Sequence, residues 1–576
     1  MNRRWVALAV GIASLGGGCA AVAEANKPHP PTPPVAAAPQ PTFINAILPG
    51  ANGAPTFANP ILSGMNPDPS ICRVGADFYL VTSSFEYFPG VPIYHSRDLV
   101  NWTLIGHALT NERQLDLTGV YSSGGIYAPT LRHHAGRFYM ITTIVGAPKR
   151  GGNANFYVTA DDPRGPWSDP IWLGPDGKDG FDPSLLFADG EAYYLRDGKG
   201  PTQDHPRVYQ TRIDPATGAR REPMQMIWQG TGGIWPEGSH LYKMKGRYYL
   251  FAAEGGTEYD HMEVVGRSDA PFGPFEPSPK NPILTHRNRG EHPIQATGHV
   301  DLVELDDGTT WAVFLGVRPQ RGRFQHLGRE TFLAPVTFSP DGWPMIGGEG
   351  GDGGHVELRM PTPALANRPP ATTPARDDFD HPALSLAWNH VRNPHAGDVS
   401  LAARPGFVRI TGTATTLSDA GSPAAIVQRQ RHFRLRCRTA LDFVPREAGD
   451  EAGLTVRASD AFHYDLAIKR GAAGREAVLT SRTAGATAVV GRTPLPDGVV
   501  TLEVSADETS YAFAVGDGAA RQVLGALPTR TLSAEEIGKH GKNHFTGTML
   551  GLYATGNGRA SAVPADFDWF EYQAGD

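Results

Sequence analysis

Three acidic side chains at matched positions, Asp68, Asp182 and Glu237, carry the chemistry that can be read from this chain. They stand in Asn66-Pro67-Asp68-Pro69-Ser70, Phe181-Asp182-Pro183-Ser184 and Pro236-Glu237-Gly238-Ser239. Breaking a glycosidic bond calls for a carboxyl proton donor at the leaving oxygen and a second carboxylate across the sugar. Glu has the longer reach, which makes Glu237 the candidate acid and Asp68 the candidate base that activates water. A donor has to stay protonated near neutral pH, which an isolated Glu does not do. Asp182 offers the remedy, because a neighbouring negative charge raises the pKa of Glu237. Singly, each residue has a plainer reading: Asp before Pro is a turn former, and Glu237 before Gly238 is a solvated loop residue. A shared register on a repeat is what favours catalysis.

That repeat is the element that has to position them. A turn followed by an aromatic strand recurs at Asp77-Phe78-Tyr79-Leu80-Val81, Arg137-Phe138-Tyr139-Met140-Ile141, Ala192-Tyr193-Tyr194-Leu195, Arg247-Tyr248-Tyr249-Leu250-Phe251 and Thr310-Trp311-Ala312-Val313-Phe314. The spacing leaves room for four strands per unit, as in a propeller blade, and five units can close a ring. A β-sandwich or solenoid with chance aromatic strands is the competing reading. Eleven or twelve residues before each aromatic stand Asp68, Ala128, Asp182, Glu237 and His299. In a propeller the first strand of each blade lines the axis, so equivalent positions meet at one end of it. Three carboxylates and a histidine are therefore expected around one funnel.

The residues also carry a resemblance. Asn66 through Ser70, Ser84-Phe85-Glu86-Tyr87-Phe88-Pro89-Gly90-Val91, Gly124-Gly125-Ile126-Tyr127-Ala128-Pro129, Asp182-Pro183-Ser184, Trp235-Pro236-Glu237-Gly238 and Leu327-Gly328-Arg329-Glu330-Thr331 resemble glycoside hydrolase family 43. Within it the chain is most similar to the β-xylosidase and α-L-arabinofuranosidase members. The resemblance implies an all-β fold, a five-bladed β-propeller followed by a concanavalin-like β-sandwich, and an inverting, exo-acting mechanism on xylan or arabinoxylan oligosaccharides. It implies Asp68 as base, Asp182 as pKa modulator and Glu237 as acid. Arg318, in Gly316-Val317-Arg318-Pro319, matches an arginine that contacts the terminal sugar and would sit beside Asp182. Phe85 and Tyr127 match apolar walls of the pocket, and Phe545 is the candidate from a second-domain loop that closes it. His299 matches an axial histidine that in some members helps hold a metal. A hydrogen-bonding role without cofactor is expected here, with calcium in the channel near His299 as the alternative. Tyr127 stands where many β-xylosidases have Trp, which leaves xylose against arabinose open. An endo-arabinanase, a non-catalytic carbohydrate-binding propeller and a sialidase-like propeller are the competing functions. The last uses a tyrosine nucleophile and an arginine cluster, and no convincing Asp-box repeat is seen.

Composition fits this picture. Gly (68) and Pro (50) are abundant, as suits short strands joined by tight turns. A net charge of -7 gives no reason to expect a nucleic-acid partner. Arg3 and Arg4 precede an apolar run, Trp5 to Leu15, with Ala-x-Ala sites at Ala21 and Ala23. Residues 1–25 read as a signal peptide, which implies a periplasmic or secreted protein, with a lipid anchor on Cys19 as the alternative. No run is long enough for a transmembrane span. Residues 26–57 read as a Pro-rich tether, 58–360 as the propeller, 361–376 as a linker and 377–576 as the sandwich. Cys72 and Cys437 are expected to be buried apolar side chains rather than a disulfide. The expected partner is a hemicellulose-derived oligosaccharide, and a homo-oligomer stays open.

Overall fold

Alternating apolar residues in short strands produce two all-β bodies in the computed structural model. It describes residues 38–576 except 175–179, 200–205, 321, 351–352, 473, 542–543, 562 and 576. The signal peptide, Cys19 and the first part of the tether lie outside the described residues.

Five antiparallel sheets follow one another along the chain, each running outward from an axial strand. The axial strands are Ser70–Val74, Gly125–His134, Phe181–Ala188, Glu237–Met244 and Gln295–Glu304, here numbered as blades 1 to 5. The five aromatic repeats fall on the second strand of each blade: Asp77–Val81, Arg137–Ala147, Glu191–Gly198, Arg247–Glu254 and Thr310–Val317. Their rings fill the seams between blades. Tyr79 meets Phe138 with centroids 5.3 Å apart, Tyr139 meets Phe187 at 4.9 Å, Tyr193 meets Phe272 at 6.0 Å and Tyr249 meets Phe338 at 6.3 Å. The aromatic period seen in the sequence is thus the packing period of the ring.

The fifth seam is closed by the chain's own beginning. Leu62 bridges to Thr331 of blade 5, and the Asn59 side chain donates to the Leu333 carbonyl at 2.9 Å while accepting from the Leu333 amide at 3.0 Å. Pro55–Ala58 pairs with Arg359–Pro361, and Thr42–Phe43 adds a strand to the outer edge of blade 1. The tether expected to run to residue 57 is therefore part of the folded body from Thr42 onward. Its backbone found partners that composition does not reveal. The linker is pinned as well: the Arg368 amide donates to Asp98 and the Thr42 amide to Thr373, both at 2.8 Å.

From Arg376 two sheets stack face to face. One is built around Pro564–Ala574, Leu435–Asp442 and Val500–Ala506, the other around Met549–Thr555, Glu451–Ser459 and Phe462–Gly471. Phe379, Trp388, Phe567, Phe570 and Tyr572 lie in the apolar layer between them. Cys72 and Cys437 are both buried, one in each body. The sandwich grips the propeller near the start of its axial strands. His390–Val391 pairs with Tyr87–Phe88, Asn393 accepts from the Leu117 amide at 2.7 Å, and Glu535 accepts from the Tyr259 hydroxyl at 2.7 Å. No helix among the described residues is long and apolar enough to cross a membrane.

Candidate active site

Each blade bends its axial strand at the same place, and the bend aims a side chain into the funnel. Asp68, Ala128, Asp182 and His299 have φ of 54°, 41°, 47° and 58°, and Gly238 has φ of 60°. Strand register slips there in blades 2 to 5, between Ile141 and Thr143, Phe181 and Ser184, Glu237 and His240, and Gly298 and Asp301. A bulge of this kind re-aims a residue out of the ladder. A non-glycine residue in the left-handed region is strained and needs its surroundings to hold it. In blade 4 the left-handed position is one residue later, which leaves Glu237 just before it. Glycine is required at 238, because a Cβ there would come within 2.7 Å of the His299 ring. At this position blade 2 presents Ala128, so it adds no carboxylate or imidazole to the ring.

The carboxylates converge as the register requires. Asp68 is buried and accepts from Ser83 Oγ at 2.5 Å and from Arg329 Nη1 at 2.8 Å, with His299 Nδ1 3.8 Å away. Asp182 accepts from the Gly238 amide at 3.1 Å, which ties it to the residue after Glu237. Behind them Asp197, fully buried, accepts from the Ser239 amide at 3.1 Å and Ser239 Oγ at 2.7 Å.

Electrostatics separate the roles. Burial lifts Glu237 well above the usual carboxylate range, Asp182 lifts it further, and Asp197 and Asp68 add to this against the opposing charge of Arg329. Asp182 is itself raised to about 6, first by burial, with Asp68 adding and His299 opposing. These surroundings favour the protonated form of Glu237, while the arginine and serine that grip Asp68 orient it as a proton acceptor. The arrangement can protonate a leaving oxygen and deprotonate a water in one step. Asp182→Asn tests the coupling. Without that negative neighbour Glu237 releases its proton more readily, so the alkaline limb of the kcat/KM–pH profile is expected to move to lower pH. An alkaline limb that stays in place would separate Asp182 from the acid.

The other sequence candidates divide. Tyr127 and Phe545 are half-buried and meet at 5.9 Å between centroids, and Phe545 lies 6.4 Å from Phe85. The Phe545 amide donates to Ser123 Oγ at 3.1 Å, and the Tyr127 hydroxyl donates to the Ser123 carbonyl. The second body therefore does place a ring at the mouth. Phe85 is 0 % exposed, so it backs this wall instead of presenting a face to a ligand. The placement of Arg318 beside Asp182 needs correction. Its Nε and Nη2 donate to Glu330 at 2.7 and 2.8 Å, a bidentate pairing with a fully buried carboxylate that fixes the side chain away from the cluster. The guanidinium at the cluster belongs to Arg329, which holds Asp68, donates to Thr257 Oγ1 at 2.8 Å and lies 5.6 Å from the rings of both Phe85 and Phe545. Arg329 stands inside a motif already quoted from the sequence. Asp197, which sequence reasoning also missed, is signalled only as an acid in an otherwise buried strand.

Below the carboxylates the axis is filled. Arg132 of blade 2 donates to Asp301 of blade 5 at 2.8 and 3.1 Å, to the Leu185 carbonyl of blade 3 at 3.2 Å and to Ser70 Oγ of blade 1 at 3.3 Å. Its Nη2 is 3.0 Å from His240 Nδ1 of blade 4, so one guanidinium touches all five blades. Burial, more than the nearby guanidinium, pushes His240 down to about 3, so it is neutral and accepts this bond. Burial alone would raise Asp301, but the Arg132 guanidinium and the Ser70 hydroxyl together hold it below the usual carboxylate range. The donor set around His299 is a poor match for calcium, which takes about six to eight oxygens. Asp68 is already engaged by Arg329 and Ser83, and the position beneath already holds a cation. Among the described residues no group of three or more His, Cys, Asp or Glu side chains is placed to hold a metal ion. A cavity of about 420 Å³ lined by Phe43, Tyr94, Arg431 and Tyr572 lies elsewhere, where blade 1 meets the sandwich, and none of the candidate residues lines it.

Comparison with known proteins agrees with this geometry. Residues 57–344 match the model for glycosyl hydrolases family 43, and residues 376–573 match that for the β-xylosidase C-terminal concanavalin A-like domain. The chain is 47% identical over 537 residues to a non-reducing end α-L-arabinofuranosidase of Bacteroides ovatus, covering 93% of this chain and 95% of that protein. It is 37% identical over 515 residues to a xylosidase/arabinosidase of Butyrivibrio fibrisolvens, covering 87% and 96%. The solved structure of Bacteroides ovatus Xyloglucan PUL GH43B, 47% identical, superposes with a TM-score of 0.85 over 90% of this chain and 100% of that one. Xylan β-1,4-xylosidase from Bacillus halodurans, 35% identical, gives 0.83 over 90% and 99%. Fold, site and both halves of the match lead to one conclusion: the chain belongs to glycosyl hydrolases family 43 and is a glycosidase.

Proposed function

We propose that this enzyme removes single pentose units from the non-reducing ends of hemicellulose oligosaccharides with inversion, and that α-L-arabinofuranosides are its better substrates. The observation that carries the reading is the convergence of Asp68, Asp182 and Glu237 at one mouth narrowed by Phe545. Asp68 serves as base, Glu237 as acid and Asp182 as the charge that keeps the acid protonated. Arg329 orients the base, and Tyr127 with Phe545 walls the terminal sugar. A mouth capped by a second body and filled along its axis suits a chain end better than a chain that runs through, which favours exo over endo cleavage. The 47% identity to an arabinofuranosidase supports arabinose. The export signal read in residues 1–25 fits an extracellular polymer as the source of substrate.

Nitrophenol release tests the reading. The 4-nitrophenyl α-L-arabinofuranoside is expected to be cleaved with higher kcat/KM than the β-D-xyloside. Faster cleavage of the xyloside would reverse the preference. No release from either, together with internal cleavage of linear arabinan, would replace the exo reading with an endo one.

A further inference from the structure

Two large apolar side chains stand in solvent beside the candidate acid: Ile234 is 53% exposed and Trp235 50%. The loop that carries them is built, not loose. Glu254, fully buried, accepts from the Thr231 amide at 2.6 Å, from Thr231 Oγ1 at 2.9 Å and from the Gly233 amide at 2.8 Å. The Gly255 amide donates to the Ile234 carbonyl at 2.9 Å. Glycine is needed at 233, where a Cβ would come within 2.6 Å of the Glu254 carboxylate.

At the end of this pinned loop Trp235 has φ of 51°, a strained conformation for so bulky a residue. The benzo edge of its indole rests on Gly256, where a Cβ would lie 3.2 and 3.3 Å from Cε3 and Cζ3. The next residue, Thr257, accepts from Arg329, and Arg329 holds Asp68. Trp235 thus stands at the rim of the carboxylate funnel, two positions before Glu237. The rings of Tyr127, Phe85 and Phe545 form a separate wall, contacted by Arg329 at Phe85 and Phe545.

We propose that Trp235 is the platform for the leaving group, a second sugar ring whose C–H face packs on the exposed indole. This rests on the function proposed above. An acid protonates the oxygen that departs, so whatever that oxygen belongs to lies beside Glu237, and Trp235 is the large apolar surface held there. Strain is stored where a side chain must be displayed, and an aromatic ring offers a rigid apolar surface for a sugar face at little entropic cost. The site therefore selects pentosides carried on another sugar over those on small alcohols.

The test uses the whole chain with Trp235→Ala and Trp235→Phe. Substrates are an arabinose-substituted xylo-oligosaccharide and the methyl α-L-arabinofuranoside, whose leaving group is too small to reach the platform. Free arabinose serves as a competitive inhibitor that reports on the terminal-sugar pocket alone. Trp235→Ala is expected to lose about tenfold in kcat/KM on the oligosaccharide, mostly through KM. It should keep its rate on the methyl glycoside and its arabinose inhibition constant, and Trp235→Phe should recover most of the loss. Unchanged oligosaccharide kinetics in Trp235→Ala, or an equal loss on both substrates, would overturn the platform while leaving the pentosidase reading intact. A wild-type enzyme inactive on both substrates would instead sink the pentosidase reading, and the platform with it.

Discussion

Glu237→Ala is expected to lower kcat on a natural oligosaccharide by about 10³-fold, within the range of roughly 10²–10⁴ that a positioned acid contributes. The loss should depend on the leaving group. A sugar alkoxide is a poor leaving group and needs the proton, whereas nitrophenolate departs without one. The variant should therefore keep much more of its rate on nitrophenyl glycosides than on oligosaccharides. The environment of Glu237 explains why this residue can donate: burial and Asp182 favour the protonated form, Asp197 and Asp68 add to them, and Arg329 opposes. Steady-state kinetics on the two substrate types decide the matter. Equal loss on both would remove Glu237 from the acid role.

Asp68→Ala should behave differently and lose more. Water has to be activated whatever leaves, so a loss of about 10³-fold or greater is expected on oligosaccharide and nitrophenyl glycoside alike. The variant also leaves the Arg329 guanidinium without its anionic partner in a buried place, where an uncompensated charge costs about 3–5 kcal/mol. Thermal melting has to be measured beside kinetics for that reason. A lowered melting temperature with a folded baseline at the assay temperature would still leave the kinetic comparison valid. A loss confined to poor leaving groups would instead make Asp68 part of the acid machinery.

These two carboxylates were legible in the sequence because propeller geometry converts a sequence period into a spatial ring. Once Tyr79, Tyr139, Tyr194, Tyr249 and Trp311 set the blades, Asp68, Asp182, Glu237 and His299 had to share one end of the axis. Arginine partners obey no such rule. Arg318 and Arg329 both lie near the blade 5 turn, and only the fold shows that Glu330 captures the first and frees the second for Asp68. A guanidinium reaches far from its own backbone, so register says little about where its charge goes. The tether was misjudged for a related reason. Proline content in residues 27–41 suggests an extended tether, but an extended chain is also what an open sheet edge accepts, and Thr42–Phe43 directly after it pairs with the outer strand of blade 1. Bulges were invisible in advance, since a left-handed aspartate before proline looks like any other turn.

The arginine that touches every blade closes the axis beneath the carboxylates. With Arg132 and Asp301 filling the axis just beneath the carboxylates, a freed monosaccharide has no back door. Both the freed sugar and the trimmed oligosaccharide therefore have to leave through the mouth by which the substrate came in.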